Sequence, residues 1–385
     1  MPRKIAVLTV GRSDFGRYRP VLRALKEIPS VSVDLLASGN HFDPRFGRTI
    51  DEITESGFDW VPGLGIAVDS DAPECIGRVI AEGTQFLTER FASSRPDILV
   101  VLGDRYEMLC GANAAIGFNI PIAHIHGGAV TEGAVDELVR HALTKMSHLH
   151  FVSTDVYARR VRQMGEEDWR VATVGAPGLD ELAALATASQ EEISAKAGID
   201  FTRPTLVVSY HPVTLEPTDL GRQVDALLAA VENSGAQAVL TYPNADPGHR
   251  TIIESFVAFV ARHEGRARLI DNAGTTLFPN LLRWAGALVG NSSAGIVEAA
   301  SFRLPVVNVG TRQDGKIKPR NVIDCPPDAD AILAAIGKAL SPDFRVGLAD
   351  LVNPYGDGHA GVRIAEILRT VPIDDRLLRK KFVDR

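Results

Sequence analysis

The sequence has few of the features that mark disulfide-stabilised, metal-binding or nucleic-acid-binding proteins. Its three cysteines, Cys75, Cys110 and Cys325, are far apart and odd in number. This spacing predicts neither a disulfide framework nor a zinc site, so we expect free thiols in a reducing compartment. No long run of Lys or Arg is present and the formal net charge is -7 at pH 7, which disfavours nucleic acid and anionic membranes as partners.

Long apolar runs are also missing. Residues 5–10 form a run too short to cross a membrane, and no small-residue cleavage site follows it. We therefore predict a first strand there, no membrane partner and a cytoplasmic location. Internal repeats and low-complexity segments are absent as well. What remains is an ordinary globular composition, 45% hydrophobic and 23% charged over 385 residues, which suffices for the cores of two or three domains.

Short runs rich in Val, Ile and Leu alternate with longer helical patterns along the chain. Strands are predicted at 5–10, 32–37, 98–102, 121–125, 149–153, 171–174, 205–209, 237–241, 267–270, 286–290, 305–309 and 321–324. Helices are predicted at 16–27, 73–93, 105–117, 133–147, 154–164, 219–233, 248–263, 294–301, 329–339 and 359–370. Apolar strands separated by helices imply parallel sheets covered on both faces. Because these strands are too many for one doubly wound domain, we predict an α/β fold of two Rossmann-like domains facing each other across a cleft.

The boundary between the domains is predicted at the turn 175–178, which contains Gly and Pro. The N-terminal domain would span 1–177, joined by a C-terminal helix over 366–385, and the C-terminal domain would span 178–365. In sheets of this kind ligands bind beyond the carboxyl ends of the strands. Functional side chains are therefore expected in the loops that follow the strands.

The most informative of these loops follows an apolar strand that ends at Gly290. The helix start after it offers free main-chain N–H groups, and the hydroxyls of Ser292 and Ser293 add donors where a phosphate would bind. Glu298 lies one turn beyond Ala294 on the same helix face, from which its carboxylate can reach ribose hydroxyls. The pattern predicts a nucleotide-diphosphate site, and the alternative is a Ser-capped helix without a ligand.

Polar residues also follow the strands of the N-terminal half. Arg12 lies in a two-glycine turn after the first strand, where it is placed to bind a phosphate or a base. Asp104 and Arg105 come directly after the strand 98–102. For Asp104, a role in the cleft and a role as a helix cap are both open.

The densest polar segment begins at His126 and continues into the predicted helix over 133–147. The buried stripe of this helix is predicted to be Val135, Leu138, Val139, Ala142 and Met146. Asp136 and Arg140 lie on another face, one turn apart. A surface ion pair would explain them singly, at about 0.3–0.5 kcal/mol. It does not explain why the helix follows a His-x-His-Gly-Gly loop at the end of a parallel strand.

Two His-x-His pairs raise the question of a metal ion. They are His124 with His126 and His148 with His150. No further Cys or His cluster supplies the remaining ligands at a recognisable spacing, so the sequence predicts neither a metal nor another cofactor.

Three loops of the C-terminal half carry further candidates. His211 comes just after the strand 205–209, where it suits general acid–base chemistry or a turn-stabilising hydrogen bond. Asn244 follows the strand 237–241 and is placed to bind a sugar or a base. Arg312 follows the strand 305–309 and would approach the two serines from a neighbouring strand. Polar residues after nearly every strand are typical of an α/β enzyme.

Taken together, these motifs resemble the hydrolysing UDP-N-acetylglucosamine 2-epimerases of the sialic-acid and legionaminic-acid pathways. The resemblance runs through nearly the whole chain. It is carried by GRSDFG at 11–16, GDR at 103–105, HGG at 126–128 with residues 131–136, RHALTKMSHLH at 140–150, HP at 211–212, YPNAD at 242–246, NSSAG at 291–295, Glu298, and GTRQ at 310–313.

The resemblance implies a glycosyltransferase-B type fold, a UDP-sugar substrate in the cleft, and a homodimer or homotetramer. The catalytic residues that it implies are Asp104, His126, Asp136, Arg140 and His211. The substrate-binding and UDP-binding residues that it implies are Arg12, Arg105, Asn244, Ser292, Ser293, Glu298 and Arg312. Among these, Ser292, Ser293 and Arg312 would hold the diphosphate, and Glu298 the ribose.

The family chemistry removes the sugar C2 proton, expels UDP to leave a 2-acetamidoglucal, and adds water to give the free 2-epimer. Which of Asp104, Asp136 and His126 is the base stays open. Many relatives have a glutamate where this chain has His126, and often an acid where it has Ala129. The alternatives are a UDP-N,N′-diacetylbacillosamine 2-epimerase, a non-hydrolysing epimerase, a glycosyltransferase or metal-dependent hydrolase, and a nucleotide-sugar sensor without catalysis.

Overall fold

The computed structural model describes residues 2–42, 49–62, 74–130, 135–212, 219–243, 248–271 and 273–385, without the side chains of Arg12, Ser13, Asn40, Pro62 and Thr275. Its contacts divide the chain into two compact units. Unit 1 comprises Met1–Ala183 and Tyr355–Arg385, and unit 2 comprises Ala184–Pro354. Among the described residues, no helix is both long enough and apolar enough to cross a membrane.

The strands and helices alternate along the chain as expected for an α/β protein. The strands are β1 Arg3–Thr9, β2 Val31–Ala37, β3 Trp60–Pro62, β4 Ile98–Leu102, β5 Ile122–Ile125, β6 Leu149–Val152, β7 Val171–Thr173, β8 Thr205–Ser209, β9 Gln237–Thr241, β10 Ala267–Ile270, β11 Ala287–Gly290, β12 Val306–Val309 and β13 Val322–Cys325. The helices are α1 Arg12–Lys26, α2 Ile50–Glu55, α3 Glu74–Ser93, α4 Met108–Gly117, α5 Val135–Met146, α6 Asp155–Gln163, α7 Gly178–Ala184, α8 Gln190–Ala197, α9 Leu220–Asn233, α10 His249–Arg262, α11 Gly274–Trp284, α12 Ser293–Val297, α13 Ala329–Leu340, α14 Pro342–Val346, α15 Ala360–Thr370 and α16 Asp375–Leu378.

Each unit is built on one parallel sheet. The strand order is β3-β2-β1-β4-β5-β6-β7 in unit 1 and β10-β9-β8-β11-β12-β13 in unit 2. The order reverses direction between β1 and β4, and again between β8 and β11, and such reversals open a crevice at the carboxyl ends of the strands. The central strands β4 and β8 are buried at every residue, because helices cover both faces of a parallel sheet. The predicted fold class of two parallel-sheet α/β domains is confirmed.

Every predicted strand is present within a residue or two, and the differences lie in short or interrupted elements. Strand β3 was not predicted because it is only three residues long. Helix α11 was not predicted because Pro279 lies inside it, and proline normally ends a helical pattern. The predicted helix over 294–301 is α12 followed by a separate 3₁₀ turn, Ala299–Phe302.

The chain passes from unit 1 to unit 2 at 183/184 and returns at 354/355. The predicted boundaries were 177/178 and 365/366. Helix α7 stays with unit 1 because the Asp180 carboxylate accepts hydrogen bonds from the main-chain N–H groups of Ala360 (3.0 Å) and Gly361 (2.7 Å) at the start of α15. Gly361 in turn lies so close to Pro20 of α1 that a Cβ at this position would approach its main chain to 2.7 Å. The whole of α15 therefore belongs to unit 1.

The single terminal helix predicted over 366–385 is wrong, because α15 ends at Thr370, just before Pro372, and only one further turn, α16, follows. The tail is nevertheless held on unit 1. The buried guanidinium of Arg170 donates to the carbonyl oxygens of Arg376 (2.7 Å) and Leu377 (2.8 Å). The tail is thus joined to unit 1 through its main chain and not through a long helix.

Candidate active site

Unit 2 has a cavity of about 330 Å³ at the carboxyl ends of its strands. It lies where the strand order reverses, which is where α/β sheets bind ligands. Residues from the ends of five strands line it, and so does the start of α11. They are Ser209, His211, Thr241, Tyr242, Ile270, Asp271, Ala273, Gly274, Phe278, Ser292, Ser293, Ala294, Glu298 and Arg312. Five of the predicted site residues therefore share one cavity: His211, Ser292, Ser293, Glu298 and Arg312.

The predicted anion site at the start of α12 is built from side chains more than from a helix dipole. Helix α12 is only five residues long, and the Ser292 hydroxyl caps it by accepting from the N–H of Ala294 at 3.3 Å. Ser293 is exposed toward the cavity side of the helix start, and Glu298 ends the helix. The hydroxyl groups and the nearby Arg312 guanidinium are thus the principal donors that this cavity offers to an anion.

Arg312 and His211 face the same cavity from opposite sides of β11. The Arg312 guanidinium donates to the carbonyl oxygen of Asn291 at 3.1 Å, which holds it beside the serines. Burial, and then the positive charge of Arg312, lower the pKa of His211 to about 4. The imidazole is therefore neutral near pH 7, where it can donate one N–H and accept at the other nitrogen.

Gly290 lets β11 approach the end of β8 closely enough to form this site. Its φ of 136° lies in a region that suits glycine, and a Cβ at this position would collide with the carbonyl oxygen of Ser209.

We expect Gly290→Ala to lower the free energy of unfolding of unit 2 by about 4 kcal/mol or more, a loss of stability that only severe backbone or packing defects cause. Denaturant unfolding measures this.

Gly337→Ala is the matched control, because nothing lies within 4 Å of a Cβ at this helical position. It should leave unit 2 as stable as before or raise its stability by up to about 1 kcal/mol. A Gly290→Ala protein as stable as the control would show that the close approach of β11 to β8 is dispensable.

Unit 1 carries a cluster of charged side chains around Arg140. This side chain is 3% exposed and is ion-paired with both Asp104, after β4, and Glu137, one turn before it on α5. It also donates to the carbonyl oxygen of Ala129 at 3.0 Å. A buried guanidinium needs such partners, because an uncompensated buried charge costs several kcal/mol. The cluster therefore fixes α5 against the ends of β4 and β5.

The predicted buried stripe of α5 is wrong for three of its five residues. Val135 is 58% and Leu138 is 73% exposed, and Ala142 is also exposed. Val139 is buried as predicted, but the other buried residues of the helix are Arg140, Leu143 and Thr144. The helix turns Arg140 toward the strand ends, where Asp104 and the carbonyl of Ala129 bind it.

Asp104 and Arg105 lie in the loop after β4 and not at a helix start. Helix α4 begins at Met108, with Glu107 at its N-cap position, so the predicted capping role of Asp104 is wrong. Arg105 pairs with the buried Glu107 at 2.5 Å. Asp104 is thus free of the helix and contributes its carboxylate to Arg140.

His126 and Asp136 are the two remaining predicted groups of unit 1 whose pKa values shift. Burial, followed by the charges of Arg17 and Arg140, lowers the pKa of His126 to about 3. Its φ of 68° is unusual for a residue other than glycine, and such conformations occur often at functional sites. Burial, and then the neighbouring Asp104 carboxylate, raise the pKa of Asp136 above its usual range.

Asp14, in the GRSDFG segment, is a buried acid that the sequence analysis did not single out. It is 1% exposed and accepts from the N–H of Val10 at 3.3 Å. Burial raises its pKa to about 6, against the opposing charges of Arg105 and Arg17. The raised pKa favours folding at low pH, and this contribution is lost as the pH rises through about 6.

Asp14→Asn should remove this pH dependence. Relative to the variant, we expect the wild-type protein to gain about 1 to 2 kcal/mol of stability between pH 7.5 and pH 5. The buried histidines have lowered pKa values and act with the opposite sign, but they are the same in both proteins and cancel. Urea unfolding of both proteins at the two pH values tests this, and a stability difference independent of pH would contradict it.

Three histidines of the two His-x-His pairs have structural partners. The Nε2 atom of His124 lies 2.8 Å from the carbonyl oxygen of Gly103, and His150 bonds the buried Glu166 at 3.0 Å. His148 accepts from a main-chain N–H of β5. Within the described ranges, no group of three or more His, Cys, Asp and Glu side chains is arranged to hold a metal ion.

Two predicted site residues lie wholly or partly outside the described residues. Asn244 lies outside the described residues, and so does the side chain of Arg12, although its main chain begins α1. The structure adds others that sequence reasoning missed. Glu137 was hidden among many charges on α5, and Phe278 belongs to the unpredicted α11. Asp271 directly follows the predicted strand 267–270, and this position could have marked it as a candidate cavity residue.

These features define a class of protein: an α/β enzyme with a cavity lined by anion donors in unit 2 and a cluster of charged side chains at the strand ends of unit 1. The chain belongs to the UDP-N-acetylglucosamine 2-epimerase family, whose model matches residues 23–369. The resemblance drawn from its motifs is confirmed, and so is the prediction that it is an enzyme of the UDP-sugar 2-epimerase class.

Similar proteins cover the whole chain. A Legionella pneumophila protein named UDP-N,N′-diacetylbacillosamine 2-epimerase (hydrolyzing) is 35% identical over 381 residues, 99% of both chains. A Campylobacter jejuni protein named GDP/UDP-N,N′-diacetylbacillosamine 2-epimerase (hydrolyzing) is 30% identical over 384 residues, again 99% of both. A crystal structure of UDP-GlcNAc 2-epimerase from Neisseria meningitidis bound to UDP-GlcNAc has a TM-score of 0.78 at 18% identity, covering 95% of this chain and 99% of that one.

Proposed function

We propose that the protein is a hydrolysing UDP-N-acetylglucosamine 2-epimerase, converting UDP-N-acetylglucosamine and water to N-acetylmannosamine and UDP. A base takes the proton from C2 while the C1–O bond to the diphosphate breaks, which gives 2-acetamidoglucal and UDP. Water then adds its hydroxyl to C1, and a proton returns to C2 on the opposite face. The observation that carries the proposal is the unit 2 cavity lined by Ser292, Ser293 and Arg312 in a chain of this family.

The UDP half of the substrate is assigned to unit 2. The hydroxyls of Ser292 and Ser293 and the guanidinium of Arg312 would bind the diphosphate, because charged donors make the strongest hydrogen bonds to phosphate. Glu298 lines the same cavity and would accept from the ribose hydroxyls. These groups stabilise the charge that develops on the departing UDP. The neutral His211 would donate a hydrogen bond to the same phosphate oxygens.

The sugar half is assigned to the cluster of unit 1. Asp104, Arg105 and Arg140 would bind and orient the hexose, and Arg12 and Asn244 keep their predicted roles beside the nucleotide and sugar. Of the three candidate bases, we assign Asp136. Its pKa is raised above its usual range, which makes its carboxylate a stronger base than an ordinary aspartate, whereas the lowered pKa of His126 makes that imidazole a weak base.

The two departures from the family pattern are compatible with catalysis. At position 129 the contact with Arg140 is made by the main-chain carbonyl, which alanine supplies as well as an acid would. His126 is neutral near pH 7 and can donate a hydrogen bond to the substrate without adding a charge to the site. A sensor without catalysis therefore has no support from Ala129.

A second candidate substrate is UDP-N,N′-diacetylbacillosamine, favoured by the names of the two relatives with 35% and 30% identity. Supplying each UDP-sugar separately and separating the products by anion exchange decides between them. The proposal expects free UDP and N-acetylmannosamine from UDP-N-acetylglucosamine. Turnover of the diacetylated sugar alone supports the second candidate, and UDP-N-acetylmannosamine as product would mean a non-hydrolysing enzyme.

We infer a role in supplying a sialic-acid type pathway, a cytoplasmic location and a homodimer or homotetramer, all as predictions of the sequence. Light scattering coupled to size-exclusion chromatography measures the assembly directly. A monomer at micromolar concentration would contradict that prediction.

A further inference from the structure

Asn291 is fully buried between the strand-end loops that form the cavity of unit 2. Its side-chain oxygen accepts from the main-chain N–H of His211 at 2.7 Å, and its side-chain N–H donates to the His211 carbonyl at 2.9 Å. The amide thus satisfies both main-chain groups of the histidine. Because the residue is 0% exposed, water cannot replace these bonds without a rearrangement of the loop.

The main-chain carbonyl of Asn291 binds two side chains of a third loop, the one that follows β12. It accepts from the Arg312 guanidinium at 3.1 Å and from the side-chain amide of Gln313 at 2.7 Å. Gln313 is also 0% exposed, and its oxygen accepts from Lys316 at 2.8 Å. One residue therefore links the loops after β8, β11 and β12.

The residues that Asn291 links are those that line the cavity. His211 lies on one side of it and Arg312 on the other, and Ser292 is the next residue along the chain. We propose that Asn291 is a positioning residue that holds His211 and Arg312 in register with the two serines, so that imidazole and guanidinium meet the diphosphate together. The inference rests on the proposed function for the identity of that ligand.

The test compares Asn291→Ala and Asn291→Asp with the wild-type protein. Asn291→Ala removes both hydrogen bonds that the amide makes to the main chain of His211, and a misplacement of about 1 Å can cost about 100-fold in rate. We expect kcat to fall by about that factor and the Kd for UDP to rise about tenfold. In Asn291→Asp, a protonated carboxyl can still donate to the His211 carbonyl, whereas a carboxylate would repel it.

This gives a readout that loss of stability alone would not produce. The activity of Asn291→Asp relative to wild type should rise as the pH falls from 8 to 6, whereas the ratio for Asn291→Ala should stay constant.

The matched control is Asn321→Ala. Asn321 is equally buried, and its amide donates to the Leu304 carbonyl at 2.7 Å at the opposite, amino-terminal ends of the strands. This control should lose stability but keep wild-type kcat and UDP affinity.

Isothermal titration with UDP separates failure of the inference from failure of the proposed function. A wild-type protein that does not bind UDP overturns the assignment of the cavity. Wild-type UDP affinity and kcat in folded Asn291→Ala, or equal losses in Asn291→Ala and Asn321→Ala, overturn the positioning role. A selective loss in Asn291→Ala together with recovery of Asn291→Asp at low pH supports it.

Discussion

Asp136→Asn is expected to lower kcat with UDP-N-acetylglucosamine by about 10³-fold, within the range that a general base contributes. The amide keeps the shape of the carboxylate but cannot accept the C2 proton. The reaction should also slow as the pH falls through the raised pKa of Asp136, because only its ionised form is a base. Initial rates of UDP release from pH 5 to pH 9 measure both effects.

Asp375→Asn is the control for this substitution. Asp375 is exposed on α16 and pairs with the exposed Arg379 at 3.0 Å, so its loss should leave kcat unchanged. If Asp136→Asn retained more than a third of the wild-type rate, the base would have to be sought at Asp104 or His126.

Arg312→Met is expected to raise the Kd for UDP by about 100-fold, since a hydrogen bond to a charged group contributes about 1.5–3 kcal/mol. Methionine keeps much of the length and apolar stem of the side chain but removes the guanidinium. Because the charge of Arg312 also lowers the pKa of His211, that pKa should move back toward its usual value. Titration calorimetry measures the affinity, and the imidazole proton resonances measure the pKa.

Arg320→Met tests whether any lost positive charge would have this effect. Arg320 is a half-exposed residue further along the same loop and pairs with Asp350 outside the cavity. We expect its UDP affinity to match wild type within a factor of about two, as for most surface ion pairs. Equal losses in the two variants would mean that Arg312 acts through the general field of the protein and not through the diphosphate.

The strands could be predicted from the sequence because parallel strands buried on both faces need continuous runs of Val, Ile and Leu. The loops after them could be predicted as functional for the same topological reason. This is why His211, Ser292, Glu298 and Arg312, scattered over a hundred residues, were expected in one place and line one cavity.

What could not be predicted depends on contacts between distant segments. The predicted orientation of α5 was wrong because its apolar periodicity favours burial of Leu138. Arg140 is buried instead, by Asp104 and the carbonyl of Ala129, which lie on two other segments that no local pattern reveals. Likewise, Asn291 resembles an ordinary loop residue until its bonds to His211 are seen. The raised pKa of Asp136 arises from burial and from Asp104, 32 positions earlier in the sequence.

The central claim is that unit 2 binds the diphosphate while a carboxylate of unit 1 removes the C2 proton. Its most direct test is the turnover of UDP-N-acetylglucosamine in deuterated water, followed by proton NMR. The account predicts free N-acetylmannosamine with deuterium at C2, formed at the same rate as UDP. Release of N-acetylglucosamine, or of N-acetylmannosamine that keeps its original C2 proton, would contradict it.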